Sequence, residues 1–142
     1  MSNLDKWNHH WFGVWQEYGP AYEDCPPVRD FVFPDVTRSY DKKRLTEYLT
    51  KAQVVAATSR NQFPCPFTGK RTGGSISFRT DGRWLWLDDL PDYIDRFNVA
   101  IPTEFLKEIE KNGYVPPAVE ENIAERLEWP PVKRPGPGST KT

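Results

Sequence analysis

The sequence predicts a small α+β fold: an antiparallel sheet built on one β-hairpin and packed by three to four helices. Two patterns carry this expectation. Residues 75–87 read Ser-Ile-Ser-Phe-Arg-Thr-Asp-Gly-Arg-Trp-Leu-Trp-Leu, two alternating runs separated by Asp81-Gly82, the dipeptide favoured in a type I′ turn. Flanking segments place apolar residues at helical spacing behind an Asp or Pro that suits a helix start.

A two-residue turn pairs Thr80 with Arg83, Arg79 with Trp84, Phe78 with Leu85, Ser77 with Trp86 and Ile76 with Leu87. Ile76, Phe78, Leu85 and Leu87 then line one face, assigned to the core, while Ser77, Arg79, Trp84 and Trp86 line the other. Upstream, Asp41 caps a helix running to about Lys51, with Leu45, Tyr48, Leu49 and Ala52 at helical spacing. Val54, Val55, Ala56 and Ala57 read as a short strand over 53–58, and the polar stretch 59–74 as a loop. Downstream, Pro91 suits the first turn of a helix carrying Leu90, Ile94 and Phe97. Pro102 opens the next, which carries Phe105, Leu106 and Ile109 and stops at Asn112-Gly113. Pro116 and Pro117 open a third, with the stripe Val119, Ile123 and Leu127. Residues 7–34 are crowded with aromatics (Trp7, Trp11, Phe12, Trp15, Tyr18, Tyr22, Phe31, Phe33) but broken by glycine and proline. They are expected to wrap irregularly, with a helical turn near Trp11 to Gln16. One domain over 1–130 and a flexible Pro/Gly/Lys tail over 131–142 complete the expectation.

The chain has 142 residues, of which 37% are hydrophobic, including six Trp, six Tyr and eight Phe. That is enough for one core that needs neither disulfides nor metal to form. The formal net charge of −1 supplies no global positive field to draw the chain onto a phosphate backbone, so direct nucleic-acid binding is not expected. The first fifteen residues carry Asp5, Lys6, His9 and His10, which does not suit a secretory signal, and no window approaches the roughly 18 apolar residues of a membrane span. A cytoplasmic location with no membrane contact follows as an expectation. Cys25 and Cys65, each beside proline, are expected as free thiols.

Four constellations bear on chemistry. His9-His10 cannot chelate one ion well, because adjacent side chains diverge on either a helix or a strand. Cys65 as a nucleophile needs one of those histidines brought to it in space; a small enzyme using Cys65 with His9 or His10 is the less favoured alternative, since a free cysteine more often packs as a small hydrophobe. Phe67-Thr-Gly-Lys-Arg-Thr-Gly-Gly74 has the composition of a phosphate cradle but lacks the P-loop spacing. Asp88, Asp89, Asp92 and Asp95 suit helix capping and the wet side of the helix, and together form a local negative patch that can meet a basic partner. On the hairpin's outer face Trp84 and Trp86 stand beside Arg79, either covered by the aromatic N-terminus or open as a protein-binding platform.

Thr80-Asp-Gly-Arg-Trp-Leu-Trp86, then Leu90-Pro-Asp-Tyr-Ile94, then Asn98-Val-Ala-Ile-Pro-Thr-Glu-Phe-Leu106 resemble a group of small bacterial proteins. These carry a Thr-Asp-Gly-x-Trp-x-Trp hairpin before a Leu-x-x-Tyr-Val helix and a Leu-Pro-x-x-Phe helix. The group resembles the immunity proteins of bacterial polymorphic toxin systems, and the similarity spans about residues 45–112. It implies a cytosolic, non-enzymatic, cofactor-free inhibitor that plugs the active site of a cognate toxin domain: a nuclease, a deaminase or an enzyme consuming nicotinamide dinucleotide. The contact residues expected on this reading are Asp88, Asp89, Asp92 and Asp95, with Arg79, Trp84 and Trp86 as anchors. A protein-interaction adaptor using the Trp-rich face and the proline-rich tail is the alternative.

Overall fold

The computed structural model describes residues 3–32, 41–61, 75–120 and 122–131. The fold is α+β. Its helices are α1 (Asn3–Lys6), α2 (Lys42–Lys51), α3 (Leu90–Phe97) and α4 (Thr103–Lys111), and its strands are β1 (Trp11–Phe12), β2 (Gln53–Asn61), β3 (Ser75–Thr80) and β4 (Leu85–Leu87). The four strands form one sheet in the order β1-β4-β3-β2. The β2–β3 and β3–β4 pairs are antiparallel, and β1 adds a parallel pair against β4, Trp11 facing Leu85 and Phe12 facing Trp86.

Three helices form where local signals specify them. The Asp41 carboxylate accepts from Lys43 N–H and Arg44 N–H at 3.0 and 3.2 Å, satisfying two of the amides that the start of α2 leaves open. Pro91 sits in the first turn of α3, which ends on Asn98 in the left-handed conformation. Pro102 is the residue before α4. Leu45, Tyr48, Leu49, Leu90, Ile94, Phe105 and Ile109 are buried, as their spacing predicts.

The hairpin departs from its expected register. Observed partners are Phe78 with Leu87, Arg79 with Trp86 and Thr80 with Leu85, two residues beyond those predicted, so the turn spans Asp81 to Trp84 and not Asp81-Gly82 alone. Side-chain bonds set this length. Asp81 Oδ1 accepts from Arg83 N–H and Trp84 N–H at 3.0 and 2.8 Å, while the Thr80 hydroxyl donates to Trp84 O at 2.6 Å and accepts from Gly82 N–H. Because side chains alternate with period two, the two-residue slip leaves Phe78 with Leu87 and Arg79 with Trp86 on their predicted faces. Strand β2 runs on to Asn61, past the predicted end at Thr58.

The ends of the chain differ more. Trp11 and Phe12 join the sheet in place of the predicted helical turn, and Gln16–Tyr18, Pro20–Tyr22 and Val28–Phe31 are single 3₁₀ turns. Their rings meet edge-on: Phe12 and Phe31 lie 5.0 Å apart, and Trp7 packs 5.5 Å from Phe12 and 5.6 Å from Phe31. The third predicted helix is one 3₁₀ turn, Ile123–Arg126. One turn gains little from its own hydrogen bonds, and tertiary anchors set its path instead. Trp129 donates to Ala124 O at 2.9 Å and packs edge-on to Phe78, and Glu128 accepts from His10 N–H at 2.9 Å. Pro130 is buried, so the anchored chain extends past Trp129. Ile76 as a core side chain, Phe33, Cys65, the loop over 62–74 and the tail over 132–142 lie outside the described side chains and residues.

Gly13 is where the backbone demands glycine. Its φ of +86° is unfavourable for an L side chain, and a Cβ there would stand 3.3 Å from three atoms of buried Leu90. Gly13→Ala is expected to cost about 1–2 kcal/mol, adding the left-handed penalty to a forced shift of Leu90. An unfolding midpoint in urea unchanged from the parent would contradict this.

Candidate partner-binding surface

Of the seven predicted contact residues, the two tryptophans are not at the surface. Trp84 and Trp86 are 1% and 0% exposed, which removes both as surface anchors and closes the platform an adaptor would need. Their main covers are α2 and α4, and from the N-terminal segment His10 packs edge-on to Trp84. Trp84 stacks on Phe105 with ring centres 4.4 Å apart and planes 4° from parallel, and Trp86 lies between Tyr48 at 6.3 Å and Phe105 at 5.3 Å.

Arg79 is also committed inside the fold. Its Nε donates to Asp88 Oδ1 at 3.0 Å and a terminal NH donates to Ala52 O at 2.7 Å. Its cross-strand neighbour Trp86 donates from Nε1 to Leu49 O at 3.1 Å. The last carbonyls of a helix have no partner within it. The Arg79–Trp86 pair therefore supplies donors from the sheet to the C-terminal end of α2, a role that no sequence pattern announced.

The four acids divide by environment. Asp88 is half-buried against Arg79, with 31% of its side chain exposed, and Asp92 pairs with Arg96 one turn on at 3.1 Å with both side chains over half exposed. Asp95 is exposed. Asp89 turns inward. Its Oδ2 accepts from the Tyr18 hydroxyl at 2.7 Å, the same hydroxyl lies 3.3 Å from Tyr93 Oη, and Oδ1 is buried with no hydrogen-bond partner among the described residues. Burial pushes the Asp89 carboxyl up to about 7, against the lowering pull of Tyr18 and of its own N–H, with Asp88 and Asp92 adding to the rise. Asp89 is thus half-buried with its carboxyl turned inward, while Asp88, Asp92 and Asp95 edge the surface.

These three form one wall of a groove of about 630 Å³ whose opposite wall is Lys42, Lys43, Thr46 and Thr50 of α2. The sequence reading missed the basic wall. Its only trace in the chain is Lys42-Lys43 on the polar side of an amphipathic helix, and nothing local says that this side faces α3. The groove offers carboxylates to a cation and ammonium groups to an anion within a few side-chain lengths, so it suits a partner segment carrying both charges.

The histidines reach neither this groove nor a cysteine thiol among the described residues. His9 Nδ1 is 2.6 Å from Glu128 Oε2, and the His9 ring stacks on Trp11 at 5.3 Å. His10 meets the other Glu128 oxygen through its backbone N–H and packs edge-on to Trp84. Both tie the last anchored segment to β1. Cys25 is 3% exposed and burial pushes its thiol up to about 11, so it stays a protonated, inert core group near neutral pH. Among the described residues no group of three or more His, Cys, Asp or Glu could hold a metal ion, and no helix is long and apolar enough to cross a membrane. Comparison with known proteins finds no matching family model, no similar curated protein and no similar solved structure.

Proposed function

We propose that this chain is an immunity protein: a cytoplasmic, cofactor-free, non-enzymatic inhibitor that occludes the active site of a cognate toxin domain in a stoichiometric complex. The observation that carries the proposal is the division of labour around the motif resemblance. Thr80, Asp81, Trp84, Trp86, Leu90, Tyr93 and Phe105 are all buried, so the shared pattern specifies a scaffold. Asp88, Asp92 and Asp95 edge that scaffold along an open groove. The acidic wall is complementary to the basic clefts with which nucleases, deaminases and nicotinamide-dinucleotide-consuming toxins hold anionic substrates, and Lys42 and Lys43 opposite it are complementary to acids at the rim of such a cleft.

The test is co-expression with the product of the adjacent gene, scoring host survival and co-elution on a sizing column. Rescue with a 1:1 complex is expected. The double variant Asp92→Lys/Asp95→Lys should weaken that complex by roughly tenfold or more, because opposing like charges cost on the order of several kcal/mol. It should cost the fold about 1 kcal/mol or less, since both side chains are exposed. A non-toxic neighbour that forms no complex would sink the immunity reading. Full rescue with unchanged affinity in the double variant would move the interface away from this groove.

A further inference from the structure

We propose that Asp89 is a proton-controlled latch: in its protonated form it holds the Gln16–Tyr22 segment onto the start of α3, and loss of the proton loosens that segment. This stands whether or not the chain is an inhibitor. The geometry is that of a carboxyl with one oxygen bonded to the Tyr18 hydroxyl and the other, Oδ1, buried with no donor among the described residues. Asp89 occupies the residue before α3, where a carboxylate ordinarily accepts from the first free amides, yet its side chain makes no such bond.

It points instead at Tyr18, whose hydroxyl is 2.7 Å from Oδ2 and 3.3 Å from the Tyr93 hydroxyl. A protonated Asp89 can donate to Tyr18, which can donate onward to Tyr93; Oδ1 is then a carbonyl oxygen. An ionised Asp89 must leave a charged, buried Oδ1 without a donor, which costs far more than leaving a carbonyl so. The titratable groups acting on it are Tyr18 from the N-terminal segment, Asp88 from the turn before α3, and Asp92 from α3 itself. Two of these are acids. Arg79, the cation bonded to Asp88, directs its Nε to Asp88 and a terminal NH to Ala52 O.

The sign of the effect follows from which state holds the proton. With the carboxyl pushed up to about 7 in the folded chain and ordinary when unfolded, at about 4, the folded chain keeps a proton that the unfolded chain has lost across that window. The folded-to-unfolded ratio due to this group therefore falls as pH rises, by up to about tenfold per unit, and levels off above the folded value. Among the described residues, Tyr18 is the hydrogen-bond donor that Asp89 receives from outside α3 and its leading turn, so the loss concentrates on the segment Tyr18 belongs to.

Two measurements test the latch. A carbon-13 NMR titration of the wild-type side-chain carboxyl is expected to give a midpoint near neutrality. Amide hydrogen exchange at pH 8 is then compared between wild type and Asp89→Asn, which keeps the shape and removes the charge. Amides of residues 16–22, including Tyr18 N–H on Trp15 O and Tyr22 N–H on Gly19 O, are expected to exchange at least about fivefold more slowly in the variant, with those of β3 and β4 unchanged. At pH 5 the difference should vanish. A carboxyl midpoint below pH 5, or slowing spread equally over β3 and β4, would overturn the proposal.

Discussion

Asp81→Ala is expected to destabilise the fold by about 3–5 kcal/mol, a large share of the roughly 5–15 kcal/mol that holds an ordinary domain together. Asp81 is 3% exposed and its carboxyl accepts from Arg83 N–H, Trp84 N–H and, at 2.6 Å, the Tyr48 hydroxyl. Burial raises this carboxyl above the usual range, while the bonds from Trp84, Tyr48 and Arg83 pull it back. Truncation leaves the buried Trp84 N–H and Tyr48 hydroxyl without an acceptor, and each orphaned donor costs about 1–3 kcal/mol. Asp81→Asn retains an oxygen for the two backbone amides and should lose only about 1–2 kcal/mol. Tyr48→Phe keeps the packing and removes two bonds, the one donated to Asp81 and the one accepted from Asn112 Nδ2 at 3.0 Å; combined with Asp81→Ala it should cost less than the sum of the two, because both delete the Tyr48–Asp81 contact. Urea unfolding of the four variants is the measurement, and Asp81→Ala within about 1 kcal/mol of wild type would contradict a turn closed by this side chain.

Asp81 also marks where sequence reading succeeds and where it stops. Helices α2, α3 and α4 were legible because Asp41, Pro91, Pro102 and Asn112-Gly113 act within one turn of the backbone they start or stop. The faces of the hairpin were legible because alternation survives any even slip in register. The turn length was not, since Asp81-Gly82 signals a tight turn through backbone preference while the Asp81 and Thr80 side chains close a longer one. Two residues cannot display alternation, so Trp11 and Phe12 gave no sign of a parallel strand. Val119, Ile123 and Leu127 carried a helical spacing that the anchors at Glu128 and Trp129 overrode. The acidic wall was readable as a run of aspartates, but which members face outward was not. Asp89 turns inward onto Tyr18, 71 residues away in the chain, whereas Asp92 faces outward to Arg96 of its own helix.

Trp86→Ala should rival Asp81→Ala in cost, at about 3–5 kcal/mol, through a cavity in the centre of the fold. Trp86 is fully buried on β4, one of the two inner strands of the sheet, and its ring is held between Tyr48 and Phe105. Trp86→Phe refills much of that volume but leaves Leu49 O without its indole donor, and should cost about 1–3 kcal/mol. The difference between the two separates packing from capping. Capping also has a directional signature, because Leu49 O and Ala52 O lie at the end of α2 and receive their donors from the Trp86–Arg79 pair. In Trp86→Phe, amide exchange should quicken in the last turn of α2 before it does in α3 or α4; uniform quickening would mean that the indole acts by volume alone. The same helix carries Lys42 and Lys43 at its other end, facing Asp88, Asp92 and Asp95 across the groove. If α2 moves as a rigid rod when its anchor is cut, the basic wall shifts relative to the acidic one. Partner affinity should then fall in Trp86→Phe even though no partner could touch residue 86.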